Sequence, residues 1–176
     1  KRMYCVNHSQ VVESLEVMEK LAEEIASHLK GKKIDFFFGI AGNGTILYGL
    51  GKALKKLFGK MKVVGVETLE RPVLFPLKYP GRYEKEYGKK PAQVDEMKGR
   101  EFFAPGTGAL GVEFPHIHSA VGLVDDVVLV GREETQKALE ELARSGFNVG
   151  HTSAMSFVAA QQISLQIKGK SILIIF

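Results

Sequence analysis

The chain has 176 residues, of which 45% are hydrophobic and 25% charged, as expected for one globular domain with a substantial core. Its net charge of +4 comes from lysines interspersed with acidic residues, without an arginine-rich run, so we expect no nucleic-acid partner. The single cysteine excludes an internal disulfide, and no apolar run approaches the roughly 18 residues that span a bilayer, which favours a cytoplasmic protein without a membrane partner.

Hydrophobic spacing predicts a long first helix followed by alternating strands and helices. Spacings of three and four indicate helices with one buried face, and short apolar runs indicate buried strands. The predicted order is helix 9–30, strand 34–39, helix 46–58, strand 61–66, an irregular excursion 68–111, strand 126–130, helix 133–145, helix 153–167 and strand 171–176. The excursion holds five of the six prolines, and we expect a short helix within it near 92–98.

This order of elements predicts an α/β fold of three layers. The sheet is expected to be doubly wound and mostly parallel, with helices on both faces, in a single domain over 1–176. Such sheets bind ligands beyond the carboxyl ends of their strands. The first predicted strand ends at a glycine-rich stretch, which is therefore placed where a ligand is expected.

That stretch contains Gly42, Gly44 and Thr45 immediately before a predicted helix. Glycines let backbone N–H groups approach an anion, and the first turn of a helix presents unpaired N–H groups with partial positive charge. Thr45 adds a hydroxyl near the helix start. The pattern indicates a phosphate-bearing cofactor, and the alternative is a tight strand-to-helix turn without a ligand.

One candidate for that cofactor is NAD. Gly39, Gly42 and Gly44 have the spacing G-x-x-G-x-G, which also occurs in some dinucleotide-binding folds. Glu67 ends the next predicted strand, where an acid could bind a ribose hydroxyl or could instead cap a turn. The glycines lie after a long helix rather than near the start of the fold, which argues against NAD.

A second candidate follows from a series of motifs in chain order. They are A-G-N-G-T at 41–45, G-L-G-K-A-L at 49–54, V-V-G-V-E at 63–67, G-T-G-A at 106–109, L-V-D-D-V-V at 123–128 and V-G-H-T-S-A at 149–154. From about residue 10 to the end, this series resembles the C-terminal half of fold-type II pyridoxal-phosphate (PLP) enzymes, the cysteine synthase and cystathionine β-synthase group. The resemblance outweighs the NAD interpretation.

The resemblance implies a set of cofactor-binding residues. Gly42, Asn43, Gly44 and Thr45 would hold the phosphate, with Ala41 as a possible backbone donor. The remaining residues implied are Gly106, Thr107 and Gly108 on the substrate side of the cofactor and Thr152 opposite the pyridine nitrogen. Thr152 could also be a helix N-cap. Asn43 stands where the family has glycine, and His151 and Ala154 also depart from the family pattern.

The resemblance further implies a lyase or transferase of amino-acid and cysteine biosynthesis. Its activity would be PLP-dependent β-replacement or β-elimination on serine-type amino acids, with dehydratase chemistry as a near relative. The family's Schiff-base lysine lies in an N-terminal half whose motifs we do not find, so we expect the chain to be inactive alone. It would be a fragment of a longer enzyme, half of a split enzyme with a partner chain, or a non-catalytic homologue that binds a phosphate ligand or a protein.

Without the strands of that N-terminal half, we expect an open sheet edge or apolar patch that favours a partner or a homo-oligomer.

Three other residue groups have a spacing that suggests a site or a structural role. His116 and His118 would share one side of an extended segment, but no third ligand is apparent, so we predict no metal site. Asp125 and Asp126 are adjacent on a predicted strand and would point to opposite faces. Tyrosines at 79, 83 and 87 predict a short exposed helix that packs an aromatic stripe.

Overall fold

A computed structural model of the chain shows an α/β domain built on a parallel sheet. The structure describes residues 11–91, 103–104, 106–107 and 114–176. In chain order the elements are α1 (Glu13–Leu29), β1 (Phe36–Ile40), a π-helical segment (Thr45–Leu50), α2 (Gly51–Phe58), β2 (Lys62–Thr68), α3 (Leu74–Lys78), α4 (Arg82–Tyr87), α5 (Pro115–Leu123), β3 (Asp126–Val130), α6 (Arg132–Arg144), α7 (His151–Ser164) and β4 (Ile172–Ile174).

The four described strands form one sheet in the order β3-β2-β1-β4, and every pair is parallel. The chain moves outward from β1 through β2 to β3 and then returns to the other side of β1 with β4. This reversal creates a switch point at the carboxyl end of β1, the place where open α/β sheets bind ligands. The predicted parallel α/β fold is confirmed.

Alternating residues of the strands contribute side chains to two hydrophobic clusters, one on each face of the sheet. Phe37 and Val63 pack in a cluster with α1, α2, α3 and α5, whereas Phe38 and Val64 pack with α6 and α7 on the opposite face. Because side chains along a strand alternate between faces, the apolar runs of β1 and β2 supply both clusters. The predicted three layers, with helices on both faces, are therefore present.

The excursion after β2 is more ordered than its prolines suggest. It contains α3, which was not predicted, and α4, which the tyrosine spacing predicted. Ring contacts among Phe75, Tyr79, Tyr83 and Tyr87 join the two helices. Tyr83 is buried, and its hydroxyl donates to the Leu69 carbonyl at 2.7 Å. The predicted helix with a packed aromatic stripe is therefore present, since Tyr83 is the one buried residue of α4 and the others are exposed. The helix predicted near 92–98 lies outside the described residues.

Helix α5 also differs from the sequence-based expectation. Residues 116–118 were treated as extended, whereas the structure has a nine-residue helix that begins at Pro115. Proline suits the first helical position because its missing N–H would have had no partner there. Across the described ranges, none of the helices combines the length and apolar character needed to cross a membrane.

Candidate phosphate-binding site

The glycine loop, residues 41–44, connects β1 to the π-helical segment at the carboxyl edge of the sheet. Gly44 has φ of +90°, which favours glycine, and a Cβ added there would lie 2.6 Å from the His116 carbonyl carbon. A Cβ added at Gly42 would lie 2.5 Å from the Gly106 carbonyl oxygen. The loop is thus enclosed between the Gly106 turn and the start of α5, and both glycines are required by these close approaches.

Three donors of this loop lack acceptors. The backbone N–H groups of Gly42 and Gly44 donate to no acceptor within the described part of the chain. The Thr45 hydroxyl is buried, and among the described groups it too has no partner. An unsatisfied buried group such as the Thr45 hydroxyl costs about 1–3 kcal/mol, and donors clustered at a helix start fit a ligand rich in acceptors, such as phosphate.

Ala41 does not share this property. Its N–H donates to the Val66 carbonyl at 3.0 Å, which extends the pairing of β1 with β2 by one residue. That amide is already used by the sheet, so we leave Ala41 out of the candidate site as a donor.

Asn43 binds within the loop. Its side-chain oxygen Oδ1 accepts the Thr45 N–H at 3.0 Å. Lys30 is the one described non-glycine residue with positive φ, so Asn43 adopts an ordinary backbone conformation. The side chain at this position therefore causes no backbone strain, and its effect on the loop is through hydrogen bonding.

The helix after the loop begins with wider turns than an α-helix. The π-helical segment covers Thr45–Leu50, and the Tyr48 N–H donates to the Gly44 carbonyl at 2.7 Å. A Cβ added at Gly49 would lie 2.9 Å from Met18 Cγ and 3.0 Å from Leu15 Cδ2, so this glycine allows α1 to pack closely. Short π-helical insertions are frequent at functional sites.

The second predicted group of site residues meets the loop. A Cβ added at Gly106 would lie 3.0 Å from Thr152 Cγ2, so the contacts run from Gly42 through Gly106 to Thr152. The Thr107 N–H and hydroxyl both donate to the Ala104 carbonyl, at 3.0 and 3.2 Å, which places this side chain in the turn itself. Gly108 lies outside the described residues.

Thr152 lies in the first turn of α7, where Gly150 is the N-cap and no side-chain capping bond forms. The N-cap interpretation of Thr152 is therefore wrong, and its side chain is partly exposed beside Gly106. His151, the first residue of α7, is exposed and its ring contacts Phe103 edge-on at 6.3 Å.

His116 is a site residue that sequence reasoning missed. Its backbone presses against Gly44, its ring stacks on Tyr48 at 6.3 Å, and its buried Nε2 lacks a partner in the described part of the chain. Pro115 at a helix start was the available signal. The extended geometry assumed for His116 and His118 is wrong, and the described residues contain no cluster of three metal-ligating side chains.

Glu67 has a structural role at the end of β2. Its carboxylate accepts the backbone N–H groups of Val73, Leu74 and Phe75, at 2.9, 2.8 and 2.7 Å. Both oxygens are engaged, so the side chain caps α3 and is not available to a ribose hydroxyl. Complete burial raises its pKa from 4.5 to about 7, against the opposing effect of the three hydrogen bonds.

Asp125 and Asp126 lie at the opposite, amino edge of the sheet. Asp125 accepts Lys55 Nζ and the Val63 N–H, each at 2.8 Å, whereas Asp126 accepts the Tyr79 hydroxyl at 2.7 Å. Burial raises the pKa of Asp125, but these hydrogen bonds outweigh it and leave that pKa lowered. Both carboxylates stabilise the fold away from the glycine loop.

Lysines are exposed or only half-buried wherever the structure describes them. Lys55 and Lys78 are the half-buried ones. Lys55 pairs with Asp125, and Lys78 donates to the carbonyls of Val121 and Val124 at 3.2 and 2.8 Å. Neither reaches the glycine loop through a described contact.

Comparison with known proteins gives a consistent result. A family model described as pyridoxal-phosphate dependent enzyme matches residues 1–176. Cysteine synthase B of Campylobacter jejuni is 27% identical over 141 residues, which cover 80% of this chain and 40% of that protein. The chain therefore spans about two fifths of the length of this curated relative.

Solved structures show the same fold. O-acetyl serine sulfhydrylase isoform 3 from Entamoeba histolytica superposes with a TM-score of 0.75 at 22% identity, covering 97% of this chain and 44% of that one. A hydrogen sulfide-producing enzyme from Fusobacterium nucleatum gives 0.77 at 21% identity, covering 99% and 52%.

Proposed function

The chain belongs to the family of pyridoxal-phosphate dependent enzymes, and from that premise we propose that its glycine loop holds the phosphate of PLP. The observation that carries the proposal is a cluster of three donors that have no acceptor among the described residues, namely the N–H groups of Gly42 and Gly44 and the hydroxyl of Thr45. Two amides, one hydroxyl and the start of a helix suit a dianion.

The other contacts extend the proposal to the rest of the cofactor. Gly106 lies against Gly42 and Thr152 lies against Gly106, so a ring that starts at the loop would pass the Gly106 turn. We place the Thr152 hydroxyl opposite the pyridine nitrogen. A neutral hydroxyl there leaves the nitrogen unprotonated, which restrains the electron sink that PLP supplies when bound. Gly108 is proposed for the same side of the ring.

We further propose that the chain is the cofactor-phosphate domain, over 1–176, of a cysteine synthase-like enzyme. The reaction proposed for the complete enzyme is β-replacement or β-elimination on a serine-type amino acid, in keeping with the cysteine synthase relative. The described lysines provide no buried amine for a covalent link. We assign that lysine to another segment or a partner chain, and expect little activity from these residues alone.

A second candidate is a homologue that binds a phosphate ligand without catalysis. The lack of a buried lysine among the described residues is as compatible with this homologue as with the cofactor domain of an enzyme. Borohydride reduction with PLP, followed by mass spectrometry of peptides, separates the two. Efficient labelling of one lysine when a lysine-bearing partner is added supports the enzyme, whereas labelling that stays weak and scattered supports the binding homologue.

Equilibrium binding tests the proposed function. PLP is titrated into the protein, with inorganic phosphate and NAD as competitors, and Gly44→Trp serves as a blocked-loop variant. We expect saturable PLP binding that inorganic phosphate displaces and that NAD displaces no more strongly than phosphate does. In Gly44→Trp this binding is expected to be abolished. Absence of PLP binding to a folded wild type, or equal binding by a folded Gly44→Trp protein, would contradict the proposal.

A further inference from the structure

The Asn43 side chain occupies a donor in the middle of the proposed phosphate site. Its Oδ1 accepts the Thr45 N–H at 3.0 Å. The Thr45 hydroxyl and the flanking Gly44 N–H have no acceptor among the described groups. The loop therefore has one amide satisfied by the protein next to others that are left for a ligand.

We propose that Asn43 is an internal competitor for phosphate, which weakens ligand binding by holding the Thr45 amide. This inference rests on the proposed function of the loop. A phosphate that uses all the donors of the loop has to displace the carboxamide oxygen from the Thr45 N–H. The doubly charged ligand succeeds because hydrogen bonds to an anion are about twice as strong as those to a neutral acceptor.

The backbone at this position makes the idea testable. Because Asn43 lacks a positive φ, alanine can replace it without strain and without the added freedom of glycine. Asn43→Ala removes the carboxamide oxygen that accepts the Thr45 N–H. Asn43→Asp keeps the shape and the acceptor but adds a negative charge beside the phosphate position.

The experiment measures the dissociation constants of PLP and of inorganic phosphate for wild type and both variants, with circular dichroism to confirm folding. Displacing one neutral hydrogen bond predicts that Asn43→Ala binds about threefold to tenfold more tightly. Asn43→Asp is expected to bind at least tenfold more weakly, because two anions would share the loop.

Amide hydrogen exchange supplies a readout that does not depend on the ligand. The Thr45 amide is expected to exchange more slowly in wild type and in Asn43→Asp than in Asn43→Ala. Wild type that binds PLP and phosphate as tightly as Asn43→Ala or more tightly, or Thr45 exchange that is the same in both proteins, would overturn the role of Asn43 alone. No binding to any folded variant would overturn this role and the proposed function together.

Discussion

The Thr45 hydroxyl is buried and has no partner among the described residues, which is unfavourable for folding and favourable for binding a ligand. Replacing it by the isosteric valine removes the unsatisfied group, so Thr45→Val is expected to raise the free energy of unfolding by about 1 kcal/mol. The same change removes a donor to phosphate and is expected to weaken PLP binding about tenfold. Urea unfolding and PLP titration measure the two effects.

Thr135 provides the matched control. It is also buried, but its hydroxyl donates to the Gly131 carbonyl at 2.8 Å in the first turn of α6. Thr135→Val should therefore lose about 1 kcal/mol of stability and leave the PLP affinity unchanged. A Thr45→Val protein that is destabilised like Thr135→Val, with unaltered affinity, would assign Thr45 a structural role.

Glu67 predicts a pH dependence of stability. Its pKa is about 7 in the folded protein and 4.5 when unfolded, so the folded state binds the proton more tightly. The contribution of Glu67 to the free energy of unfolding is complete below pH 4.5 and is lost as pH rises through 7. Between pH 5 and pH 7 it decreases by about 2 kcal/mol.

Glu67→Gln does not titrate, and one carboxamide oxygen cannot accept three N–H groups. The variant is expected to be less stable than wild type, with a difference in unfolding free energy that shrinks as pH rises from 5 to 7. Urea unfolding at both pH values checks this, and a difference that stays constant would show that Glu67 keeps an ordinary pKa.

At the scale of single residues, the sequence singled out residues of the proposed site that lie together in the fold, but not their hydrogen bonds. Spacing and resemblance identified Gly42, Gly106 and Thr152, which the fold brings into contact. They could not show that the Ala41 amide is used by the sheet or that His116 backs the loop. Those relations depend on strand register and on the position of α5, which single-residue patterns do not contain.

Among the elements, the close packing of α1 on the π-helical segment depends on Gly49. Gly49→Ala places a Cβ within 3.0 Å of Met18 and Leu15, so overpacking is expected to cost about 1–3 kcal/mol despite alanine's better helix propensity. Gly122→Ala in α5 meets nothing within 4 Å and should instead add about 0.5–1 kcal/mol. Thermal unfolding of both variants compares them, and equal effects would contradict the packing argument.

Elements with periodic sequences were predicted well, and those that depend on tertiary contacts were not. Strand β3 was predicted at its observed bounds, and α6 was predicted one residue later at each end. Helix α3 was missed because its order comes from the Glu67 cap, whereas the tyrosine spacing predicted a helix where α4 lies. Helix α5 was missed because it is short and carries His116 on its buried face, where a helical stripe would be apolar.

For the whole molecule, the described sheet ends at a short apolar strand. β4 pairs with β1 on one side, and within the described residues no strand pairs with its other side. Phe147 and Phe176 are about half exposed, and their rings contact each other at 5.7 Å. Together with a chain that spans 44% of a similar solved structure, this apolar edge supports our proposal that a further segment or partner covers it.

Removing the exposed rings tests that proposal. Phe147→Ser with Phe176→Ser is expected to reduce concentration-dependent self-association in sedimentation velocity while changing stability little. Val17→Ser is the control, because Val17 is 57% exposed on α1, which packs on the opposite face of the sheet. Self-association that persists in the double variant, or that Val17→Ser reduces equally, would exclude this edge as the contact.

The most direct test of the central claim is an amide shift titration of the ¹⁵N-labelled protein with PLP. We predict saturable shifts concentrated at the amides of Gly42, Gly44 and Thr45, reproduced in part by inorganic phosphate, with Gly122 and Gly146 unmoved. Saturable binding whose shifts lie elsewhere, or no shifts at the glycine loop at any PLP concentration, would contradict the assignment of this loop as the phosphate site.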